Sequence, residues 1–132
     1  MNYITNTVAA TQFTDALEKD DFEVETMPGV RADSANMIRT VIVRSKENLA
    51  WEVSLNDSDG NILSSHAFTI SDGHHKIIDG VDYYYYTHDV EWPVFFNKTE
   101  LVYFQVANRS TDAKTAGTNG ELILYIRYTR GR

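Results

Sequence analysis

The segments Leu101–Asn108 (LVYFQVAN) and Glu121–Thr129 (ELILYIRYT) decide the fold. In an extended chain, alternate side chains of the second segment share one face, and these are Leu122, Leu124, Ile126 and Tyr128. The first segment alternates in the same way and groups Val102, Phe104 and Val106. A period of two, filled by β-branched and aromatic residues, is typical of β-strands. We therefore predict two strands in the interior of a sheet, joined by the polar loop RSTDAKTAGTNG.

Working outward, six earlier segments also have strand character, and Gly, Asp and Asn separate them. In one of them Leu49, Trp51, Val53 and Leu55 point one way. The segments are Ile38–Arg44, Leu49–Leu55, Ile62–Ile70, His74–Ile78, Val81–His88 and Asp89–Phe96. Short strands at this spacing, with almost no helix signal, predict an all-β antiparallel β-sandwich, jelly roll or small barrel.

Residues 1–37 differ from residues 38–132, which we predict to form the β-sandwich domain. The first part has few apolar residues and an acidic cluster between Asp15 and Glu25. One interpretation is a solvated segment packed loosely on its own domain. The other is an extended N-terminal arm that reaches a neighbouring subunit, with Tyr3, Ile4, Val8 and Phe13 as anchors.

Composition limits the functional classes. The chain of 132 residues has room for one domain, and without cysteine it has neither disulfides nor thiolate chemistry. A net charge of −7 disfavours nucleic acid as a partner, because phosphate contacts need clustered cations. No stretch has the length and hydropathy of a membrane span, and the first residues do not resemble a signal peptide. These features predict a protein made in a host cytoplasm.

No motif in the sequence indicates catalysis. The nucleophile elbow G-x-S-x-G and the phosphate-binding loop are absent. His66, His74, His75 and His88 lie near aspartates, but their spacing matches no metal motif. We therefore predict no enzyme activity, no cofactor and no metal site.

The most informative cluster consists of four consecutive tyrosines, Tyr83, Tyr84, Tyr85 and Tyr86, together with Trp92, Phe95 and Phe96. Strand alternation sends Tyr83 and Tyr85 to one face and Tyr84 and Tyr86 to the other. Only one of these pairs is needed for the core, so the other is wet, or is covered by a partner or a stacked sugar. A basic end formed by Arg127, Arg130 and Arg132 complements the acidic segment 15–25, which suggests contact between subunits; the alternative is a solvated tail.

Three stretches of the C-terminal third carry a family resemblance: Glu91–Val94 (EWPV), Leu101–Arg109 and TDAKTAGTNGELILYIRY. In these stretches the chain resembles decoration, or cement, proteins on the capsids of tailed bacteriophages. The resemblance implies a jelly-roll-like domain, usually a homotrimer, whose N-terminal arm contacts the shell or the next subunit.

Two functions follow as expectations. The first is a structural virion protein, located in the virion, that binds the major capsid protein and copies of itself and stabilises the assembled shell. Its interface would comprise Tyr3, Ile4, Phe13, Tyr83–Tyr86, Trp92, Arg127 and Arg130. The alternative is a carbohydrate-binding or receptor-binding module of a phage fibre, which stacks sugars on Tyr83–Tyr86 and Trp92.

Overall fold

The computed structural model describes residues 5–13, 20–27, 36–56, 62–94, 103–110 and 122–130, and these form two antiparallel sheets. The strands are β1 (Thr5–Phe13), β2 (Phe22–Thr26), β3 (Asn36–Ser45), β4 (Trp51–Asn56), β5 (Ile62–Ile70), β6 (His74–Ile78), β7 (Val81–Val94), β8 (Tyr103–Asn108) and β9 (Leu122–Arg130). The predicted all-β antiparallel sandwich is confirmed.

The order of the strands is that of a jelly roll. One sheet has the order β1-β9-β3-β7-β6, and the other has the order β2-β8-β4-β5. Apart from the hairpins β4–β5 and β6–β7, successive strands lie in different sheets. Such repeated crossing is the double Greek key of jelly rolls. Strands β8 and β9, which correspond to the predicted strands Leu101–Asn108 and Glu121–Thr129, are interior strands of opposite sheets.

Residues Asp79 and Gly80 make the tight turn between β6 and β7. Both have positive φ, 51° for Asp79 and 79° for Gly80, and the turn places Ile78 opposite Val81. A two-residue turn of this kind matches the twist of the flanking strands, and Asp-Gly is one of its preferred sequences. The hairpin therefore has a local cause in the sequence.

The core lies between the sheets and is built from the predicted alternating faces. Each of the largest fully buried side chains comes from a strand: Trp51, Tyr86, Tyr128, Phe13, Phe104, Ile38, Leu55, Leu124, Ile126, Val41, Val43 and Val53. The apolar face predicted for β9 is buried along its whole length, as is the face predicted for β4. Period-two patterning thus places the right residues in the core.

The two segments predicted around His88 and Asp89 form the single long strand β7. Pro93 lies near its end, opposite Met37 of β3. Strand β6 pairs only with residues 81–85 of β7, so among the described strands Pro93 has a neighbour on one side only. Within sheets, proline is found mainly where a strand has one open side, as here.

The described part of the N-terminal segment forms two strands of the sandwich. These are β1, paired with β9, and β2, paired with β8, and each is an outermost strand of its sheet. Phe13 and Met27 are buried in the common core. The sequence TNTVAATQF has weak strand character, and β9 supplies the hydrogen bonds that hold it extended.

Several predictions fall outside the described residues. These are the anchors Tyr3 and Ile4, the residues Phe95 and Phe96, and residues 111–120 of the polar loop.

Candidate binding face on the five-stranded sheet

The outward side of the five-stranded sheet, named here the outer face, brings together residues from all five strands. Strand β3 lies in the middle and directs Thr40, Ile42 and Arg44 outward. Cross-strand pairing places Ile42 between Tyr125 of β9 and Thr87 of β7. Arg44 lies between Ile123 and Tyr85, and His74 of β6 follows Tyr85 in the same row.

A groove of about 490 Å³ runs across the outer face. Its volume is in the range of small-molecule sites. Tyrosine, threonine, aliphatic and cationic side chains line it: Val8, Ile42, His74, Lys76, Tyr85, Thr87, Tyr125 and Arg127. No carboxylate is among these lining residues, although the chain has 19 acidic residues against 12 Lys and Arg.

Two cations lie over tyrosine rings on this face. The Lys76 Nζ atom is 5.2 Å from the centroid of the Tyr85 ring, and the Arg44 Cζ atom is 4.7 Å from that of Tyr83. Such contacts attract the cation to the negative face of the ring. They hold the flexible Lys76 and Arg44 side chains against the sheet and order this side of the groove.

Elsewhere on the described surface, Arg109 and Arg39 have carboxylate partners. Arg109 lies 3.1 Å from Asp20 and 3.3 Å from Glu52, and Arg39 lies 3.6 Å from Glu91. By contrast, neither Lys76 nor Arg127 has an ion-pair partner within the described ranges. The groove is therefore a locally positive region on an acidic protein.

The tyrosine run divides as strand alternation predicts. Tyr83 and Tyr85 point to the outer face and are half-buried, whereas Tyr84 and Tyr86 point inward. Tyr86 is only 1% exposed and Trp92 only 6% exposed. Both belong to the core, which corrects their assignment to a partner interface, because the folded chain leaves little of either ring for a partner to contact.

The buried Tyr86 hydroxyl has hydrogen-bond partners within the fold. It accepts a hydrogen bond of 2.9 Å from the Leu49 backbone N–H and donates one of 2.9 Å to Asn48 Oδ1. A buried phenol needs such partners. Burial raises the pKa of Tyr86 from its ordinary value of 10.0 to about 12.

This pKa predicts a loss of stability at alkaline pH. The folded state keeps the Tyr86 proton up to a higher pH than the unfolded state, so its contribution is complete below pH 10 and is lost as the pH rises through about 12. We expect the free energy of unfolding, measured with urea, to fall in this window. Tyr86→Phe should flatten the fall. Equal pH profiles for wild type and Tyr86→Phe would contradict this assignment.

The remaining predicted interface residues do not gather at one place. Arg127 lines the groove, Phe13 is buried, and the side chain of Arg130 lies outside the described ones. Of the acidic segment, Asp20 binds Arg109 of its own chain, through a hydrogen bond from Nη1 to Oδ1. At least Asp20 of the acidic segment is therefore paired within its own subunit.

The histidines serve as surface and packing residues. His66 lies against Trp92, His88 stacks on Phe68 with ring centroids 4.3 Å apart, and the His75 ring is 2.8 Å from Asp82. No cluster of His, Asp or Glu in the described ranges has the form of a metal site. The same ranges contain no helix that is long and apolar enough to cross a membrane.

Sequence reasoning missed the groove residues Lys76, Thr87 and Tyr125, and it weighed His74 only as a metal ligand. A partial signal was present, since Tyr125 and Arg127 share one face of β9 by alternation. What sequence alone does not provide is the strand order that places β9 two strands away from β7 and its tyrosines.

No protein-family model matches the chain, and no curated protein matches it. Among solved structures, the chain is similar to the VP2 subviral particle of infectious bursal disease virus, with a TM-score of 0.32 and 8% sequence identity. The match covers 98% of this chain and 41% of that chain, so this chain spans less than half of the VP2 length. A likeness at this score establishes neither family nor function, and the function has to be inferred from the residues of the chain itself.

Proposed function

We propose that the chain is a structural virion protein that binds an assembled capsid shell and stabilises it, acting as a homotrimeric decoration or cement protein. The jelly-roll strand order supports the proposal, since viral capsid proteins are among the proteins that use it. The resemblance of Leu101–Arg109 to decoration proteins supports it as well. Because a fold alone does not name a function, the proposal is carried by one surface feature.

That feature is the N-terminal edge, defined as strands β1 and β2. The two strands contact each other on the same side of the sandwich, and each is the outermost strand of its sheet. Three large apolar side chains point outward from them: Val8 is 62% exposed, Phe22 58% and Val24 36%. In β2 the alternation is inverted, because Glu23 is buried while its apolar neighbours face outward.

An edge of this kind favours association. Monomeric proteins usually protect sheet edges with charges, proline or a covering segment. At the N-terminal edge the outward positions carry Val8, Phe22 and Val24 instead. A partner that covers them removes apolar surface from water, which contributes about 25 cal/mol per Å². A protein that makes such contacts only with the assembled shell stabilises the shell by mass action.

Phe22→Asp tests the role of the N-terminal edge in self-association. We expect wild type to form a trimer by light scattering, and we expect the variant to raise the dissociation constant by roughly 30-fold, the effect of losing a central apolar contact worth about 2 kcal/mol. Phe22 is exposed in the subunit, so the variant should retain the fold, which circular dichroism checks.

Ile77→Asp is the matched control, because Ile77 is 66% exposed and lies on β6, at the opposite edge of the same sheet as β1. Shell binding is then measured by co-sedimentation with shells assembled from the major capsid protein of the same virus. Wild type should sediment with shells and not with unassembled subunits. A monomeric wild type that fails to bind shells would refute the proposal, and equal behaviour of both variants would remove the N-terminal edge from it.

The proposed role places the protein in the virion and requires neither catalysis nor a cofactor. Its partners are the major capsid protein and further copies of the chain.

A carbohydrate-binding role is the second candidate. The groove on the outer face supports it, because Tyr85 and Tyr125 offer rings beside the Thr87 hydroxyl and the cations Lys76 and Arg127. Rings with polar neighbours are suited to sugars, which have apolar C–H faces and many hydroxyls.

A further inference from the structure

We propose that the groove on the outer face binds an oligosaccharide that carries a carboxylate. This inference rests on the second candidate function and names its ligand class and its binding residues. Of the residues that line the groove, Val8 alone belongs to the N-terminal edge, whose Phe22 and Val24 lie on β2 in the other sheet.

Two cations of the groove lack a carboxylate partner among the described residues. Lys76 and Arg127 line the groove, and neither has a carboxylate partner within the described ranges, whereas Arg39 and Arg109 are both paired. Acidic residues outnumber Lys and Arg in this chain, so a cation without a carboxylate partner is unexpected. A ligand carboxylate would supply the missing partner, and arginine binds carboxylates through two parallel hydrogen bonds.

The placement of the aromatic rings also supports a saccharide as the ligand. Tyr125 of β9 lies opposite Ile42 of β3, and Tyr85 of β7 lies opposite Arg44, two residues further along β3. Two strand spacings and this offset separate the tyrosines by roughly 12 Å. The Tyr85 ring is engaged by Lys76, whereas the Tyr125 ring has no aromatic or cationic contact within the described ranges. Tyr125 is therefore the ring available for a sugar to stack on.

An acidic saccharide fits the charge of this chain better than a nucleic acid does. A polynucleotide carries one negative charge per nucleotide, and a chain with net charge −7 repels such a polyanion. One isolated carboxylate meets Arg127 and Lys76 without that penalty. The hydroxyls of the same ligand can pair with Thr87 and the tyrosine hydroxyls.

The test is titration calorimetry with three purified probes: 3′-sialyllactose, trigalacturonic acid and neutral lactose. Wild type should bind at least one acidic probe more tightly than lactose, and added salt should weaken that binding. Arg127→Gln should weaken it by roughly tenfold or more, since a charge-assisted hydrogen bond contributes about 1.5–3 kcal/mol. Tyr125→Leu should also weaken it. Arg39→Gln is the control, because Arg39 is paired with Glu91 outside the groove and should leave binding unchanged.

Each contrary result has a distinct meaning. Equal affinity for lactose and both acidic probes, unchanged in Arg127→Gln, overturns the choice of an acidic ligand while the carbohydrate-binding role stands. If none of the three probes gives heat at millimolar concentration, both the acidic ligand and the carbohydrate-binding role are overturned. Absence of saccharide binding, together with salt-dependent self-association that Arg127→Gln abolishes, overturns the proposal in favour of a second copy as the occupant of the groove.

Discussion

Trp51→Ala is expected to lower the free energy of unfolding by about 3–5 kcal/mol. Trp51 is fully buried in β4, between Ile70 of β5 and Asn108 of β8. Truncation removes the largest apolar side chain of the core and leaves a cavity that paired strands on both sides cannot close. Domains are typically stable by about 5–15 kcal/mol, so the loss is a large fraction of the total. The melting temperature should fall by roughly 10–20 °C.

Urea unfolding followed by circular dichroism measures this effect without relying on tryptophan fluorescence. Trp51→Phe serves as the comparison, because it keeps an aromatic ring and leaves a smaller cavity, so it should cost clearly less than Trp51→Ala. A loss below about 1 kcal/mol for Trp51→Ala would show that the residue does not lie in a rigid core.

Gly73→Ala is expected to destabilise the protein by about 1–3 kcal/mol through overpacking. A Cβ atom at Gly73 would lie 2.7 Å from Tyr86 Cζ and 2.8 Å from its hydroxyl oxygen. It would also lie 3.0 Å from Asn48 Oδ1, which accepts the hydrogen bond from Tyr86. If the ring moves away, the Leu49 N–H loses its partner, which adds a further cost of about 1–3 kcal/mol.

A double-mutant cycle identifies the cause. Tyr86→Phe removes the hydroxyl that the new methyl group would meet, so the double variant should lose less stability than the sum of the two single variants. Gly80→Asn is the control glycine, because a Cβ there meets nothing within 4 Å and asparagine tolerates the positive φ. Strict additivity in urea unfolding would show that Gly73 and Tyr86 do not interact.

Local patterning was sufficient for the strands that cross the interior. Leu122, Leu124 and Ile126 are buried because alternation in a strand is an inherent property of the backbone. The same rule divided the tyrosine run correctly, although it did not tell which of its faces is the core. The Asp79-Gly80 turn also followed from local chemistry, since few other residues adopt positive φ at low cost.

Patterning failed for β1 and β2. Their side chains are polar or inverted in alternation, so an isolated stretch of either sequence has little reason to be extended. Pairing with β9 and β8 provides that reason, and the partner residues are between 77 positions (Thr26 and Tyr103) and 125 positions (Thr5 and Arg130) away in sequence. The packed N-terminal edge is therefore a tertiary property.

Local sequence is sufficient for the all-β class, the apolar faces of the interior strands and the β6–β7 turn, because each depends on residues within a few positions of one another. The tertiary structure is needed for the strand order, the burial of Tyr86 and Trp92, and the groove that joins Lys76, Tyr125 and Arg127. These features depend on which strands become neighbours. That choice is made by the summed packing of the whole core and not by any one segment.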